Sequence, residues 1–208
     1  MTRTHSEWWS IQVELLGGGQ AGELWPHPGR TFAVSPGHTF HDFAEAIDNA
    51  FARWDRAHLH EFHLPLLGKT VTEHHDADGI DPDQLLNADT ATLGQTLQPG
   101  NEFGYVFDLG DNWRHWCAID TQTFDPIEQY SHIPNKPIPV FGWGTIPDPY
   151  GRLFRGDNGE TPVPTPSADF PWPNAPAATT ITLHTPGYYT LTRTFTDEDG
   201  EASDRFGS

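Results

Sequence analysis

The sequence predicts an α+β fold, in which a mainly antiparallel β-sheet with hairpins packs against one principal amphipathic helix. Two observations support this prediction. In several short segments apolar residues alternate with polar ones, as in half-buried strands, and turn-rich connections join these segments. In one longer segment, about residues 40–55, apolar residues recur instead at spacings of three and four, as on one face of a helix.

The N-terminal segment is the first of the alternating ones. Its apolar residues share one face of a predicted strand: Trp9, Ile11, Val13 and Leu15. Three glycines at positions 17–19 end this strand, and a second, shorter strand is predicted over residues 30–34.

The predicted helix follows over residues 40–55. Its apolar stripe consists of Phe40, Phe43, Ile47, Phe51 and Trp54. Thr39 is the predicted N-cap, and Asp42, three residues later, completes a capping box. We therefore expect the helix to bury this stripe against a sheet that contains residues 103–109 and 113–120.

A third strand is predicted over residues 58–64, and Pro65 ends it because proline cannot donate a ladder hydrogen bond. The acidic, polar residues 72–90 are predicted to form a solvated loop. They do not match a calcium-binding hand, because Asp81 and Leu85 stand where that motif has its apolar residue and its bidentate glutamate.

The alternation resumes over residues 103–109 and 113–119, which Gly110-Asp111-Asn112 joins into a predicted hairpin. A short strand near residues 139–143 and a last hairpin beyond residue 179 follow. The Pro-rich residues 156–178 are interpreted as a linker or surface loop. The chain is thus divided into an α+β domain at 1–155, this linker, and a C-terminal hairpin with an acidic tail at 179–208 that packs on the same domain.

The composition restricts the class of partner. The chain has 208 residues, and 11 Lys and Arg against 29 Asp and Glu give a formal net charge of −18. Such a charge repels nucleic-acid phosphates and anionic membranes, so we expect neither a duplex nucleic acid nor a membrane as partner. The single cysteine, Cys117, excludes an intrachain disulfide. These features indicate a soluble, acidic, cytoplasmic protein.

Three segments carry a family resemblance. They are Phe51-Ala52-Arg53-Trp54, then His58-Leu59-His60-Glu61-Phe62, and residues 105–115 in the predicted hairpin. Over about residues 8–152 the chain resembles the plasmid pRiA4b ORF-3-like family, whose members are often labelled passenger TnpR proteins of mobile elements. Leu109 stands where that family usually has phenylalanine, and the family's downstream cysteines are absent, so no cysteine metal site is carried over. The resemblance implies an α+β domain associated with mobile elements.

The TnpR label implies a recombinase, but the residues argue against one. A tyrosine or serine recombinase needs several arginines around its nucleophile, and a serine resolvase also needs a basic DNA-binding module. Here nine arginines are scattered from Arg3 to Arg205, and no helix-turn-helix pattern is present. We therefore exclude a recombinase.

Histidines and aspartates in two of the predicted elements indicate one candidate metal site. In a strand, His58 and His60 point to the same face, and Asp108, Asp111 and His115 lie at one end of the hairpin. If the two groups adjoin, they supply the ligands that Zn²⁺ or Mn²⁺ needs in a hydrolase. In the structural interpretation, the aspartates instead accept hydrogen bonds within the turn, and the histidines are hydrogen-bonded on a half-buried face.

The leading hypothesis is a non-catalytic binding or accessory module that needs no cofactor. Its partner would be an unknown protein or small molecule, bound in a cleft between residues 58–62 and the hairpin at 108–115. The candidate binding residues are His58, His60, Phe62, Trp113, Trp143 and Arg152. A metal-dependent hydrolase is the alternative, and the sequence leaves open whether the protein is an enzyme.

Overall fold

The computed structural model describes residues 7–53, 55–73, 81–144 and 146–149, together with the backbone of residues 179–185 and 188–191. The strands are β1 (Trp8–Gly18), β2 (Gly22–Glu23), β3 (Gly29–Val34), β4 (His60–Leu64), β5 (Lys69–Thr72), β6 (Leu85–Asn87), β7 (Glu102–Phe107), β8 (Trp113–Phe124), β9 (Ile138–Trp143), β10 (Thr179–Thr185) and β11 (Tyr188–Leu191). The helices are α1 (Phe40–Ala50), α2 (Leu93–Thr96) and α3 (Pro126–Tyr130), with 3-10 turns at Gly19–Ala21 and Pro82–Gln84.

These strands form one sheet in the order β11-β10-β9-β3-β1-β8-β7-β4-β5-β6, and β2 pairs with the end of β1. The pairings are antiparallel except that of β5 with β6, which is parallel. A mostly antiparallel sheet with few helices confirms the predicted α+β class.

Helix α1 begins as predicted. The Thr39 side chain accepts a hydrogen bond from the Asp42 N–H at 3.1 Å, and the Asp42 carboxylate accepts one from the Thr39 N–H at 3.2 Å. This reciprocal capping box fixes the first turn. Phe43, Ile47 and Phe51 are fully buried, as expected, while Trp54 lies outside the described residues.

The helix ends at Ala50, so the predicted end near residue 55 was wrong by five residues. Ala52 has a left-handed backbone with φ 59°. The Arg53 N–H donates to the Asp48 carbonyl at 2.8 Å, and the Ala52 N–H donates to the Asn49 carbonyl at 3.4 Å. This is a Schellman ending with alanine in place of the usual glycine. Phe51, the C-cap residue, is fully buried in the core, so the apolar spacing of the helix continues in the sequence past the point where the helix ends.

A buried polar network attaches α1 to the sheet. Asp48 is only 4% exposed; its carboxylate accepts hydrogen bonds from the Tyr105 hydroxyl at 2.7 Å and from Arg56 Nη1 at 2.9 Å. Burial raises the pKa of Asp48 to about 6, although Arg56 and Tyr105 both favour the charged form.

The strand registers separate an inner face of the sheet, toward α1, from an outer face. Phe62, Tyr105, His115 and Leu15 stand side by side on four neighbouring strands and are all buried on the inner face. On the outer face, Glu102, Ala118 and Gln12 form a corresponding row on three strands. The alternation therefore places the buried side chains under the helix and the partly or fully exposed side chains opposite it.

Part of the segment predicted as a solvated loop is ordered. Residues 82–84 form a 3-10 turn, and β6 extends the edge of the sheet beside β5. Ala88, which is fully buried, donates a backbone hydrogen bond to Thr72 at 3.0 Å and accepts one from the His41 N–H at 3.0 Å. This residue therefore connects the end of β5 to the start of α1. Strands β5 and β6 have only four and three residues, which is too short for an alternating pattern to predict them from the sequence.

The hairpins and the strand near residues 139–143 are confirmed, and β10 pairs with β9 through Thr179 and Thr180. Strand β7 ends at Phe107, so the hairpin loop is longer than the three residues predicted. Residues 156–178 lie outside the described part of the chain, and the division into three parts stays a prediction. Within the described residues, no helix has the length and apolar character needed to cross a membrane.

Candidate functional site

The first pair of predicted site residues meets where β4 and β7 adjoin. The Asp108 N–H donates to the Leu59 carbonyl at 2.8 Å, which brings the hairpin loop beside the residues that precede β4. As a result, His58 Nδ1 lies 3.0 Å from Asp108 Oδ2 and His58 Nε2 lies 3.3 Å from Asp55 Oδ2. The structure thus brings His58 to one of the three hairpin residues that the metal hypothesis would require beside it.

Asp108 also organises its own loop. Its Oδ1 accepts hydrogen bonds from the Gly110 N–H at 3.0 Å and from the Asp111 N–H at 3.1 Å. Both Asp108 (φ 56°) and Asn112 (φ 55°) adopt the left-handed backbone that Asp and Asn tolerate best among residues with a side chain. Of the two aspartates, Asp108 therefore has the turn-forming role of the structural interpretation.

We expect Asp108→Ala to lower the free energy of unfolding by about 1–2 kcal/mol, because two loop N–H groups lose their acceptor. Urea denaturation measures this change. Asp111→Ala, in the same loop, is the matched control and is expected to cost less than about 0.5 kcal/mol. Asp108→Asn keeps the acceptor and should recover most of the loss; equal costs for Asp108→Ala and Asp111→Ala would contradict this assignment.

His60 lies with residues that the sequence did not single out. His41, the second residue of α1, and Glu73, directly after β5, approach it from two other elements. Glu73 Oε1 is 2.6 Å from His41 Nδ1 and 3.9 Å from His60 Nε2. His60 is 9% exposed, and its Nε2 is buried with no hydrogen-bond partner among the described residues. Burial lowers the pKa of His60, so its imidazole is neutral at physiological pH.

His115 lies apart from both groups, in the core beneath α1. It is 2% exposed, its ring packs edge-on against Phe51 at 4.9 Å, and its Nδ1 is 3.3 Å from the Tyr105 carbonyl. Burial lowers the pKa of His115 well below its ordinary value and keeps the ring neutral. Within the described residues, no three of the five predicted metal ligands come together. A metal site built from those five stays a prediction.

The other predicted binding residues lie largely in the core. Phe62 and Trp113 are buried, and the Arg53 guanidinium stacks over the Trp113 ring at 4.2 Å from its centroid. Trp143 is buried and donates through Nε1 to the His27 carbonyl at 2.9 Å. Arg152 lies outside the described residues. Strand β4 is hydrogen-bonded directly to β7, so the two elements expected to border a cleft are sheet neighbours.

The outer face carries a depression of about 350 Å³ that crosses β3, β1 and β8, with β9 at its margin. Its outward-facing side chains are Ser10, Gln12, Thr31, Ala118, Asp120 and Phe141. Among the residues that the structure describes, no lysine or arginine lines it. Asp120 is exposed, and the other five are half-buried. The depression thus has a mixed lining of polar and apolar groups, with one aromatic ring and one carboxylate.

Further acidic and aromatic residues continue the outer face beside this depression. Trp116 faces Glu14 across the β1–β8 pairing, and its Nε1 donates to Glu102 Oε2 at 3.4 Å. Glu14 accepts a hydrogen bond from Gln12 Nε2 at 2.9 Å and lies 3.3 Å from His27 Nδ1. The alternation in β1 and β8 identifies these residues as outward-facing, but only strand order places them side by side.

A family model described as plasmid pRiA4b ORF-3-like protein matches residues 12–138. A crystal structure of a protein of unknown function from Methanosarcina mazei Go1 is similar at 24% identity and a TM-score of 0.45. That match covers 65% of this chain and 64% of the other, so this chain spans slightly less than two thirds of its length. No curated protein matches the chain.

Proposed function

The chain belongs to the plasmid pRiA4b ORF-3-like family, and from this premise we propose that it is a non-catalytic binding module. Its recognition surface is the depression on the outer face together with Trp116 and Glu102, and its ligand is a basic, extended segment of a partner protein. As an accessory protein associated with a mobile element, it acts in the cytoplasm and needs no cofactor for this binding.

The observation that carries this proposal is the chemistry of the outer face. Asp120 and Glu102 are exposed carboxylates on this face, and no lysine or arginine of the described part of the chain lines the depression between β3 and β8. A lysine or arginine of the ligand would gain an ion pair with either carboxylate and a cation–π contact with Trp116. The net charge of −18 attracts a basic segment during encounter and repels phosphate backbones.

A fluorescein-labelled decapeptide of alternating lysine and threonine tests this proposal against the full-length protein by fluorescence anisotropy. We expect saturable binding that weakens with salt, and no such binding by the corresponding glutamate peptide or by duplex DNA. Asp120→Lys is expected to weaken the affinity about tenfold or more, which corresponds to about 1.4 kcal/mol. Trp116→Ala should weaken it as well.

Asp83→Lys is the matched control, because it makes the same charge change at an exposed residue before β6, at the far edge of the sheet. It is expected to leave the affinity nearly unchanged. Equal weakening by Asp83→Lys and Asp120→Lys would show that only the overall charge attracts the peptide. That result, or the absence of saturable binding, would contradict the proposal.

A metal-dependent hydrolase is the second candidate function. The observation in its favour is the meeting of His60 with His41 and Glu73, a set that shares only His60 with the residues predicted from sequence. Hydrolysis of this kind requires a bound ion that polarises the substrate or activates water. Whether the chain binds such an ion can be tested independently of any catalytic activity.

A further inference from the structure

We infer that His41, His60 and Glu73 form a binding site for one divalent transition-metal ion, with Zn²⁺ as the best-matched ion. This inference goes beyond the peptide-binding function, because the site lies on different residues and needs no partner protein. Two imidazoles and one carboxylate are a ligand set that zinc accepts, with a fourth position left for water or a further carboxylate.

The backbone brings these three residues together from separate elements. The hydrogen bonds of Ala88 to His41 and to Thr72 place the start of α1 beside the end of β5. The next residue after Thr72 is Glu73, and Thr72 is paired with Glu61, the neighbour of His60, on β4. His41 lies at the start of α1, His60 lies at the start of β4, and Glu73 directly follows β5. The sheet and α1 therefore set the relative positions of the three residues.

The donor atoms are close enough to share one ion. One ring nitrogen of each histidine and one carboxylate oxygen of Glu73 lie within 4.8 Å of one another. Ligand atoms bound at about 2.0–2.2 Å from a tetrahedral zinc ion are separated by roughly 3.4 Å. The 3.9 Å between His60 Nε2 and Glu73 Oε1 needs little adjustment, and the contact of 2.6 Å to His41 Nδ1 would lengthen to admit the ion.

The second, independent observation is the state of His60. Its side chain is nine-tenths buried, and its Nε2 faces Glu73 with no hydrogen-bond partner among the described residues. A buried polar atom without a partner is costly and calls for an explanation, such as a bound ion or water. A metal ion between His60 and Glu73 would satisfy this nitrogen.

Two further carboxylates lie close to His41. Asp89 Oδ1 lies 3.6 Å from His41 Nδ1, and Glu45 Oε1 lies 3.7 Å from His41 Nε2. Asp89 lies in the turn that contacts the start of α1, and its carboxylate is close enough to His41 to be a candidate fourth ligand. The Lys136 ammonium donates to Glu45 Oε2 at 3.0 Å and to Asp42 Oδ1 at 2.8 Å, so its charge is paired with two carboxylates.

The test is isothermal titration of Zn²⁺ into full-length, chelator-treated protein from which any affinity tag has been removed. We expect one ion per chain and a rise in the unfolding temperature with zinc concentration, because an ion that binds only the folded state stabilises it. Titration with Co²⁺ adds a visible absorption spectrum that reports how many ligands surround the ion.

Three variants assign the site. His41→Ala and Glu73→Gln change partly exposed side chains, and each is expected to weaken zinc binding at least about tenfold. His60→Ala should do the same, although loss of this buried ring also affects folding. His63→Ala, on the same strand but 49% exposed and facing the other way, is the matched control and should bind zinc like the unaltered protein.

Two results would overturn the inference. One is the absence of stoichiometric zinc binding by the unaltered protein. The other is binding that persists in His41→Ala and Glu73→Gln but disappears in His74→Ala/His75→Ala, which would assign the ion to the adjacent histidine pair. Both results are independent of whether the lysine-rich peptide binds, so this inference and the proposed function can fail separately.

Discussion

Replacing Ile47 with alanine is expected to lower the free energy of unfolding by about 2–5 kcal/mol, because it opens a cavity where α1 packs against the inner face. Ile47 is fully buried in the same core cluster as Phe43, which lies one turn earlier on α1. The Phe43 ring is packed 5.6 Å from Phe32 and 6.2 Å from Phe62 between ring centroids, so this core has little room for relaxation. Urea denaturation monitored by tryptophan fluorescence measures the change.

Ile133→Ala makes the same chemical change at a residue that is 48% exposed. It is expected to cost less than about 1 kcal/mol, since few packed contacts are lost. Similar costs for Ile47→Ala and Ile133→Ala would show that α1 does not pack against the inner face of the sheet through Ile47.

The second large effect concerns pH and Asp48. The pKa of Asp48 is about 6 in the folded protein, whereas an aspartate in an unfolded chain has its ordinary pKa of 3.8. The folded chain therefore binds this proton more tightly than the unfolded chain does. The free energy of unfolding should therefore increase as the pH falls from about 6 to about 4. The difference between the two pKa values corresponds to about 3 kcal/mol in total, of which about 2 kcal/mol is expected between pH 7 and pH 4.5.

The buried histidines oppose this trend. Burial lowers the pKa of His115 and of His38, so both resist protonation in the folded state and reduce stability as the pH falls. The measurement is therefore a comparison of unaltered protein with Asp48→Asn at pH 7 and pH 4.5, in which the histidine contributions cancel. Asp48→Asn keeps an acceptor for the Tyr105 hydroxyl but has no titrating carboxyl.

We expect the gain at low pH to disappear in Asp48→Asn and to persist in Asp120→Asn, which removes an exposed carboxylate. If unaltered protein and Asp48→Asn change in parallel between the two pH values, the proton is not held at Asp48. The physical reason would then be that the Arg56 charge offsets the effect of burial on the pKa of Asp48.

The local elements of the fold were predictable from sequence. The Thr39–Asp42 capping box, the apolar stripe through Phe43 and Ile47, and the hairpin of β7 and β8 all depend on residues close together in the chain. The end of α1 was not predictable from spacing, because Phe51 keeps the helical periodicity while the backbone at Ala52 has already turned. Short strands such as β5 and β6 gave no readable pattern.

For the candidate sites, too, the sequence indicated some features and the tertiary structure decided others. The sequence left open whether His58 and the hairpin adjoin, and the structure places His58 beside Asp108. His115 has the same alternation as its neighbours, and nothing in that alternation tells whether α1 covers its position or leaves it open to a ligand. Its burial beneath Phe51 follows from where the helix crosses the sheet.

The meeting of His41, His60 and Glu73 has no counterpart in the sequence, since no fixed spacing connects a helix start, a strand start and the end of another strand. It depends on which strands are neighbours and on the two backbone hydrogen bonds of Ala88. Side-chain periodicity specifies which face a residue occupies, because it is set by the local backbone geometry. Strand order and helix position are set by packing of the whole core, and that packing brings distant polar residues to one place.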